Sequence, residues 1–165
     1  MIVLGIDPGT AATGYGVVAG EPLGVLALVE CGVIRTKPHD PLPQRLREIY
    51  DEVQALIGRH RPQALSVENA FYARNVHTTL VLGHARGVIL LAGAQAGLEI
   101  AEYAPAVIKK AVVGTGAASK EQVQFMVTRL LRLKSAPQPS DAADGTAAAL
   151  AHIMSARLPR IADAR

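Results

Sequence analysis

Residues 2–6 form a short apolar run that ends in an acid, Asp7, and a Gly-rich stretch separates it from two further apolar runs at 15–19 and 25–36. Short apolar runs bounded by Gly and Pro read as strands, and "AGEPLG" turns the chain between the last two, so two hairpins in succession are predicted. After the Pro-rich "KPHDPLPQ" the period changes. Leu46, Ile49, Tyr50, Val53, Leu56 and Ile57 recur at helical spacing with charged residues between them, which predicts an amphipathic helix ending near His60. The run at 64–69, "ALSVEN", reads as a buried strand that also carries an acid, Glu68, at its end. A helix rich in small residues is predicted over 78–96 and a strand over 99–104, before Pro105. Lys109 and Lys110 fall on a further helix, and "SKEQ" at Ser119 is a capping box that opens another, with Val123, Met126, Val127, Leu130 and Leu131 on its core face. A last helix opens at Ser140. Three antiparallel strands followed by two parallel ones with intervening helices predict an α/β fold, a mixed five-stranded sheet flanked by helices on both faces.

Composition bounds this picture more than it changes it. The chain has 165 residues, half of them hydrophobic, enough for one core. A single domain over 1–158 is expected, with 159–165 a flexible tail after Pro159. One cysteine, Cys31, excludes an intramolecular disulfide. The start "MIVLGIDPG" has no signal-peptide pattern, so a cytoplasmic location is expected. The uncharged run at 87–98 is shorter than the about 20 residues a membrane span needs. It reads as buried helix, and no membrane association is expected. A net charge of +3 suits a polyanionic partner without singling one out.

The acids carry more information. Asp7 and Glu68 end two strands, while Asp141 and Asp144, three apart at the start of the last helix, share one helical face. Strand ends in such a sheet meet along one edge, so these carboxylates can gather around one point, where mutual repulsion calls for a cation. All-oxygen donors suit Mg²⁺ or Mn²⁺. Taken singly, each acid has an ordinary explanation: Asp7 in a turn, Asp141 and Asp144 complementing a helix dipole. Glu68, between "ALSV" and "NAF", has no capping role. The hairpin "GIDPGTAATGYGVV" is also similar to the phosphate-binding hairpin of the actin-like and sugar-kinase ATPases, but those need two such domains around the nucleotide and this chain holds one. Gly9 and Gly14 are expected to permit a tight turn and to leave substrate a path to Asp7.

In order along the chain, "GIDPGTAATGYGVV", "SVENAFYARN", "LGHARGV", "KKAVVGTGAASKEQVQFMV" and "SDAADGTAAALAH" resemble the motifs of the RuvC-type Holliday-junction resolvases, over about residues 2–155. The resemblance implies an RNase H-like fold and a homodimer. It also implies metal-dependent endonuclease action that nicks two opposed strands of a four-way DNA junction, in recombination and repair. By position it makes Asp7, Glu68, Asp141 and Asp144 the catalytic, metal-holding acids, with two Mg²⁺ ions expected and Mn²⁺ as a substitute. It also implies junction-binding and branch-migration partners of the RuvA and RuvB type. Two positions depart from the family pattern. Asn69 stands where Gln is common, and Gly145-Thr146 replaces Ala-Leu, which either loosens the helix start or lets it pack closer to the sheet.

The basic and aromatic residues divide between bland and specific readings. Phe71, Tyr72 and Arg74 lie just after Glu68; an aromatic there is ordinarily core, but beside an acid cluster it can stack on a base. The resemblance makes Phe71 the DNA-inserting residue and Lys109 and Lys120 phosphate contacts, with Lys120 also catalytic. Gly83 and Gly87 leave a helix face without bulk, which the resemblance assigns to dimer formation. His152, about 12 Å along the helix from Asp144, is too far to share a ligand with it. A non-catalytic junction-binding module and a nuclease for RNA or hybrids remain as alternatives.

Overall fold

The computed structural model describes residues 1–69 and 76–155. Five strands form one sheet in the order β3-β2-β1-β4-β5, with β1 Ile2–Asp7, β2 Ala12–Gly20, β3 Leu26–Arg35, β4 Ala64–Glu68 and β5 Glu99–Tyr103. The first three strands pair antiparallel, and β1–β4 and β4–β5 pair parallel, as the order of strands and helices predicts. β2 starts at Ala12, three residues before its expected start, because its pairing with β3 runs on to Ala12 opposite Arg35, beyond the end of β1 at Asp7 opposite Gly14.

Alternation along the central strands separates two cores. Leu4, Ile6, Val17, Leu65 and Val67 face one layer made by α1 (Leu42–His60) and α2 (Val76–Gln95), meeting Ile49, Val53 and Ile89. Val3, Val18 and Ala64 face the other, made by α3 (Pro105–Val113), α4 (Lys120–Leu130) and α5 (Ser140–Ser155). α1 begins several residues before its apolar periodicity does. Pro41 caps it and Pro43 sits in its first turn, where a missing N–H costs nothing. The capping box forms as predicted: the Gln122 N–H donates to Ser119 Oγ (3.2 Å) and the Ser119 N–H to Gln122 Oε1 (2.8 Å).

Two expectations change. The run at 87–98 is not a fully buried helix. Its first nine residues, up to Gln95, are the second half of α2, which buries Ala85, Ile89, Ala92 and Gly93 and leaves Val76, Leu80 and Leu91 exposed. At 20 residues α2 is also long and apolar enough to cross a bilayer by length and composition, which the shorter run did not suggest. Here it is docked against α1 and the sheet. Residues 159–165, the expected tail, lie outside the described residues.

Candidate active site

The parallel pairing of β1 with β4 puts Asp7 and Glu68 at neighbouring strand ends. Gly5 lies beside Ser66 and Ile6 beside Val67, so the two acids follow in step on the face covered by α5. Ser66, two residues before Glu68, points the same way and donates a 2.7 Å hydrogen bond to the Ala148 carbonyl of α5.

α5 is brought onto this edge by glycines. A Cβ on Gly14 would overlap the Asp141 carbonyl; one on Gly16 would overlap Thr146, and one on Gly5 the Gly145 carbonyl and the backbone of Ala149. From the helix side, a Cβ on Gly145 would lie 2.5 Å from Tyr15 Cα. Backbone therefore rests on backbone, and the N-terminal turn of α5 is held over the end of β1. Of the two readings of Gly145, the closer packing is the one observed. Gly14 clears space for the Asp141 backbone rather than for substrate, whereas Gly9 serves its turn, since a Cβ there would strike the Ala12 carbonyl.

A cleft of about 250 Å³ results, lined by Asp7, Glu68, Asp144, Lys109 and Lys120, with Pro105, Ile108, Val123 and Ala147 as its apolar wall. Gly114, at φ 97°, ends α3, and the Ser119 cap starts α4 at Lys120, so the two helices present one lysine each to the same cleft. Lys120 Nζ is 2.7 Å from Asp144 Oδ2. Burial, then the charges of Glu68, Asp144 and Asp141, push the Asp7 carboxyl up to about 8, against a smaller opposing pull from Lys120. Burial and the Asp144 charge raise Glu68 as well, opposed by Lys109 and Lys120. The Lys120 ammonium is held above its usual range by its hydrogen bond to Asp144.

Asp141 sits in the first turn of α5, near enough to raise Asp7 but not among the residues lining the cleft. Three of the four acids thus line the cleft, with Asp141 beside it, and they do not form a closed ligand shell. Among the described residues, no three Asp, Glu, His or Cys side chains are arranged to hold an ion by themselves. The chemistry of the set nevertheless fits a hard divalent cation: three carboxylates share one cleft, and burial together with their mutual repulsion raises Asp7.

Lys110 is exposed and does not line the cleft, and His152 is buried with its Nδ1 3.1 Å from the Tyr103 hydroxyl, away from the acids. Phe71, Tyr72 and Arg74 lie outside the described residues. Sequence reasoning missed the supporting contacts. Thr13, fully buried, exchanges hydrogen bonds with the Gly9 backbone and braces the turn after Asp7. On the far side of Glu68, a cleft of about 90 Å³ is lined by Pro8, Asn69, Thr79, Leu82, Gly83 and Arg86. Arg86 is held there by Glu102, its Nε 2.7 Å from Oε2. The alternate glycines 14 and 16, the second of them paired with Gly5, were the signal available for the close helix approach.

A family model described as "Crossover junction endodeoxyribonuclease RuvC" matches residues 3–152. Among curated proteins of that name, one from Pelotomaculum thermopropionicum is 49% identical over 154 residues, 92% of each chain. One from Solidesulfovibrio magneticus is 49% identical over 164 residues, 99% of this chain and 96% of its own. The fold matches the Thermus thermophilus RuvC structure with a TM-score of 0.87 and 40% identity, over 95% of this chain and 96% of that one. It matches the same protein in complex with Holliday junction substrate equally well, at 38% identity and the same coverage of both chains. The yeast mitochondrial Holliday junction resolvase Ydc2, at 12% identity and a TM-score of 0.65 over 92% of this chain and 78% of its own, shares the fold.

Proposed function

We propose, from the premise that the chain belongs to the RuvC family of crossover junction endodeoxyribonucleases, that it resolves four-way DNA junctions by metal-dependent hydrolysis, in homologous recombination and repair. The observation that carries this reading is the cleft itself: strand-end acids Asp7 and Glu68, helix acid Asp144 and the two lysines around one opening. Hydrolysis breaks the P–O3′ bond, leaving 5′-phosphate and 3′-hydroxyl ends. Asp7, Glu68 and Asp144 would hold the metal, with Asp141 flanking them. When bound, two Mg²⁺ ions, for which Mn²⁺ would substitute, would supply an activated water and neutralise charge on the leaving oxygen.

The chain's own groups have separable tasks. Lys109 and Lys120 bind the phosphate, and Lys120 offsets charge that builds up on it. Phe71 separates bases at the crossover, with Tyr72 and Arg74 beside it. One cleft makes one nick, so a two-fold homodimer supplies the opposed pair, with α2 as its contact face. We further assign the protein to the cytoplasm, as one domain over 1–158, acting with RuvA- and RuvB-type partners.

Asp7→Asn and Glu68→Gln test the reading with a synthetic mobile junction, with and without Mg²⁺. Both variants should bind the junction, because affinity rests mainly on contacts of basic groups with phosphates, and neither should cut it. Near-normal cleavage by Asp7→Asn would remove Asp7 from the site. An unmodified protein that binds junctions and never nicks them would make the chain a binding module.

A further inference from the structure

We propose that Lys120 is the site's internal counter-ion: its ammonium holds the cation's place against Asp144 until metal binds, and metal binding releases it to the DNA phosphate. The proposal rests on the metal-site reading above and gives Lys120 a role in loading that site as well as in phosphate contact. Among the described residues, the 2.7 Å pair between Lys120 Nζ and Asp144 Oδ2 is the one ion pair made by any of the four acids. Lys109 lines the same cleft and makes no such pair.

The geometry makes the two cations competitors. Asp144 belongs to α5 and is held in place by the close glycine contacts beneath that helix. Lys120 reaches it from the opposite wall, from the first residue of a helix fixed by its capping box and by buried Val123 and Val127. A divalent ion bound to Asp144 would meet the ammonium at a few ångströms, where like charges in a partly enclosed cleft repel strongly. The helix cannot retreat, but the four-carbon side chain can, because it is 47% exposed. Released, the ammonium remains at a cleft it shares with Lys109, where a phosphate would receive it.

Coupling then runs both ways. Metal frees a phosphate-binding cation, and a phosphate that draws Lys120 away opens Asp144 to metal, so each ligand strengthens the other. In the absence of DNA the lysine suppresses metal binding, which limits loading of the site until substrate arrives.

The test is Mn²⁺ titration of the DNA-free protein, by calorimetry and by the loss of the free-ion spin-resonance signal, on the unmodified chain, Lys120→Met, Lys120→Gln, Lys120→Arg and Asp7→Asn. Thermal melts check that each is folded. The two neutral variants should bind Mn²⁺ about fivefold or more tightly than the unmodified chain, and Lys120→Arg, which keeps the charge, should stay near it. Ca²⁺ should also strengthen junction binding less in Lys120→Met than in the unmodified protein. Equal or weaker Mn²⁺ binding by both neutral variants overturns the counter-ion role while leaving the metal site intact. Asp7→Asn, which removes a metal-holding carboxylate, should bind Mn²⁺ more weakly than the unmodified chain; if neither the unmodified chain nor any Lys120 variant binds Mn²⁺, the metal-site reading falls and this proposal falls with it.

Discussion

Replacing Asp7 with Asn should make the metal-free protein more stable, and only above mildly acidic pH. Asp7 keeps its proton in the folded chain up to about pH 8 but loses it in the unfolded chain near 3.8, so between those values the folded state binds the extra proton. Stability therefore falls as pH rises through that window. At about 1.36 kcal/mol per pH unit the whole window corresponds to at most about 6 kcal/mol, and relaxation of the cleft and water reaching the carboxylate reduce this to about 1–2 kcal/mol. For a domain of this size that is roughly 2–8 °C in melting temperature. Thermal melts with chelator at pH 5 and pH 8.5 compare the two proteins. The Asn variant should melt higher at pH 8.5 and by a clearly smaller margin at pH 5, where only the first part of the window has been crossed, and Mg²⁺ should close the gap at pH 8.5 by stabilising the unmodified protein alone. An Asn variant that melts no higher than the unmodified chain at pH 8.5 without metal would refute the view that the Asp7 carboxylate is held there against burial and the repulsion of its neighbouring acids.

The acids were legible because their positions follow from strand order: once 2–6 and 64–69 are parallel neighbours, Asp7 and Glu68 must end on the same edge. The lysines were legible as helix residues but not as partners of particular acids. The Lys120–Asp144 pair depends on how α3, α4 and α5 pack, and nothing local to residues 119–122 or 140–144 encodes it. Gly145 shows why local rules were insufficient. Helix propensity counts a glycine there as a defect, yet the position lies against Tyr15, over a hundred residues away in sequence, and only that contact gives its absent side chain a purpose. Element ends failed for a related reason. The early starts of α1 and β2 are set by a proline tolerated in a first turn and by a neighbouring strand, neither of which enters an apolar period.

Light scattering should find a dimer at micromolar concentration, and Leu91→Glu, on the exposed face of α2 near Gly87, should shift it toward monomer; a monomeric unmodified chain, free and on junction DNA, would remove the two-nick reading. Phe71→Ala should slow cleavage of an intact junction more than of one already opened at its centre, because unstacking a base step costs a few kcal/mol only where the bases are still stacked. Equal loss on both substrates would leave Phe71 as a packing residue. Gly145→Ala sets two physical effects against each other with opposite signs. Helix propensity alone favours Ala by about 1 kcal/mol. The new Cβ, however, would lie 2.5 Å from Tyr15 Cα and 2.6 Å from Tyr15 N, against strand backbone that cannot turn aside as a side chain would. Overpacking of that kind costs about 1–3 kcal/mol, so the variant should melt several degrees lower. Because α5 must lift to relieve the contact, Asp144 should also move from Asp7 and cleavage should fall further than junction binding. A Gly145→Ala protein that melts higher and cuts normally would mean that α5 does not rest on the sheet through its glycines, and that the depth of Asp144 in the cleft is set elsewhere.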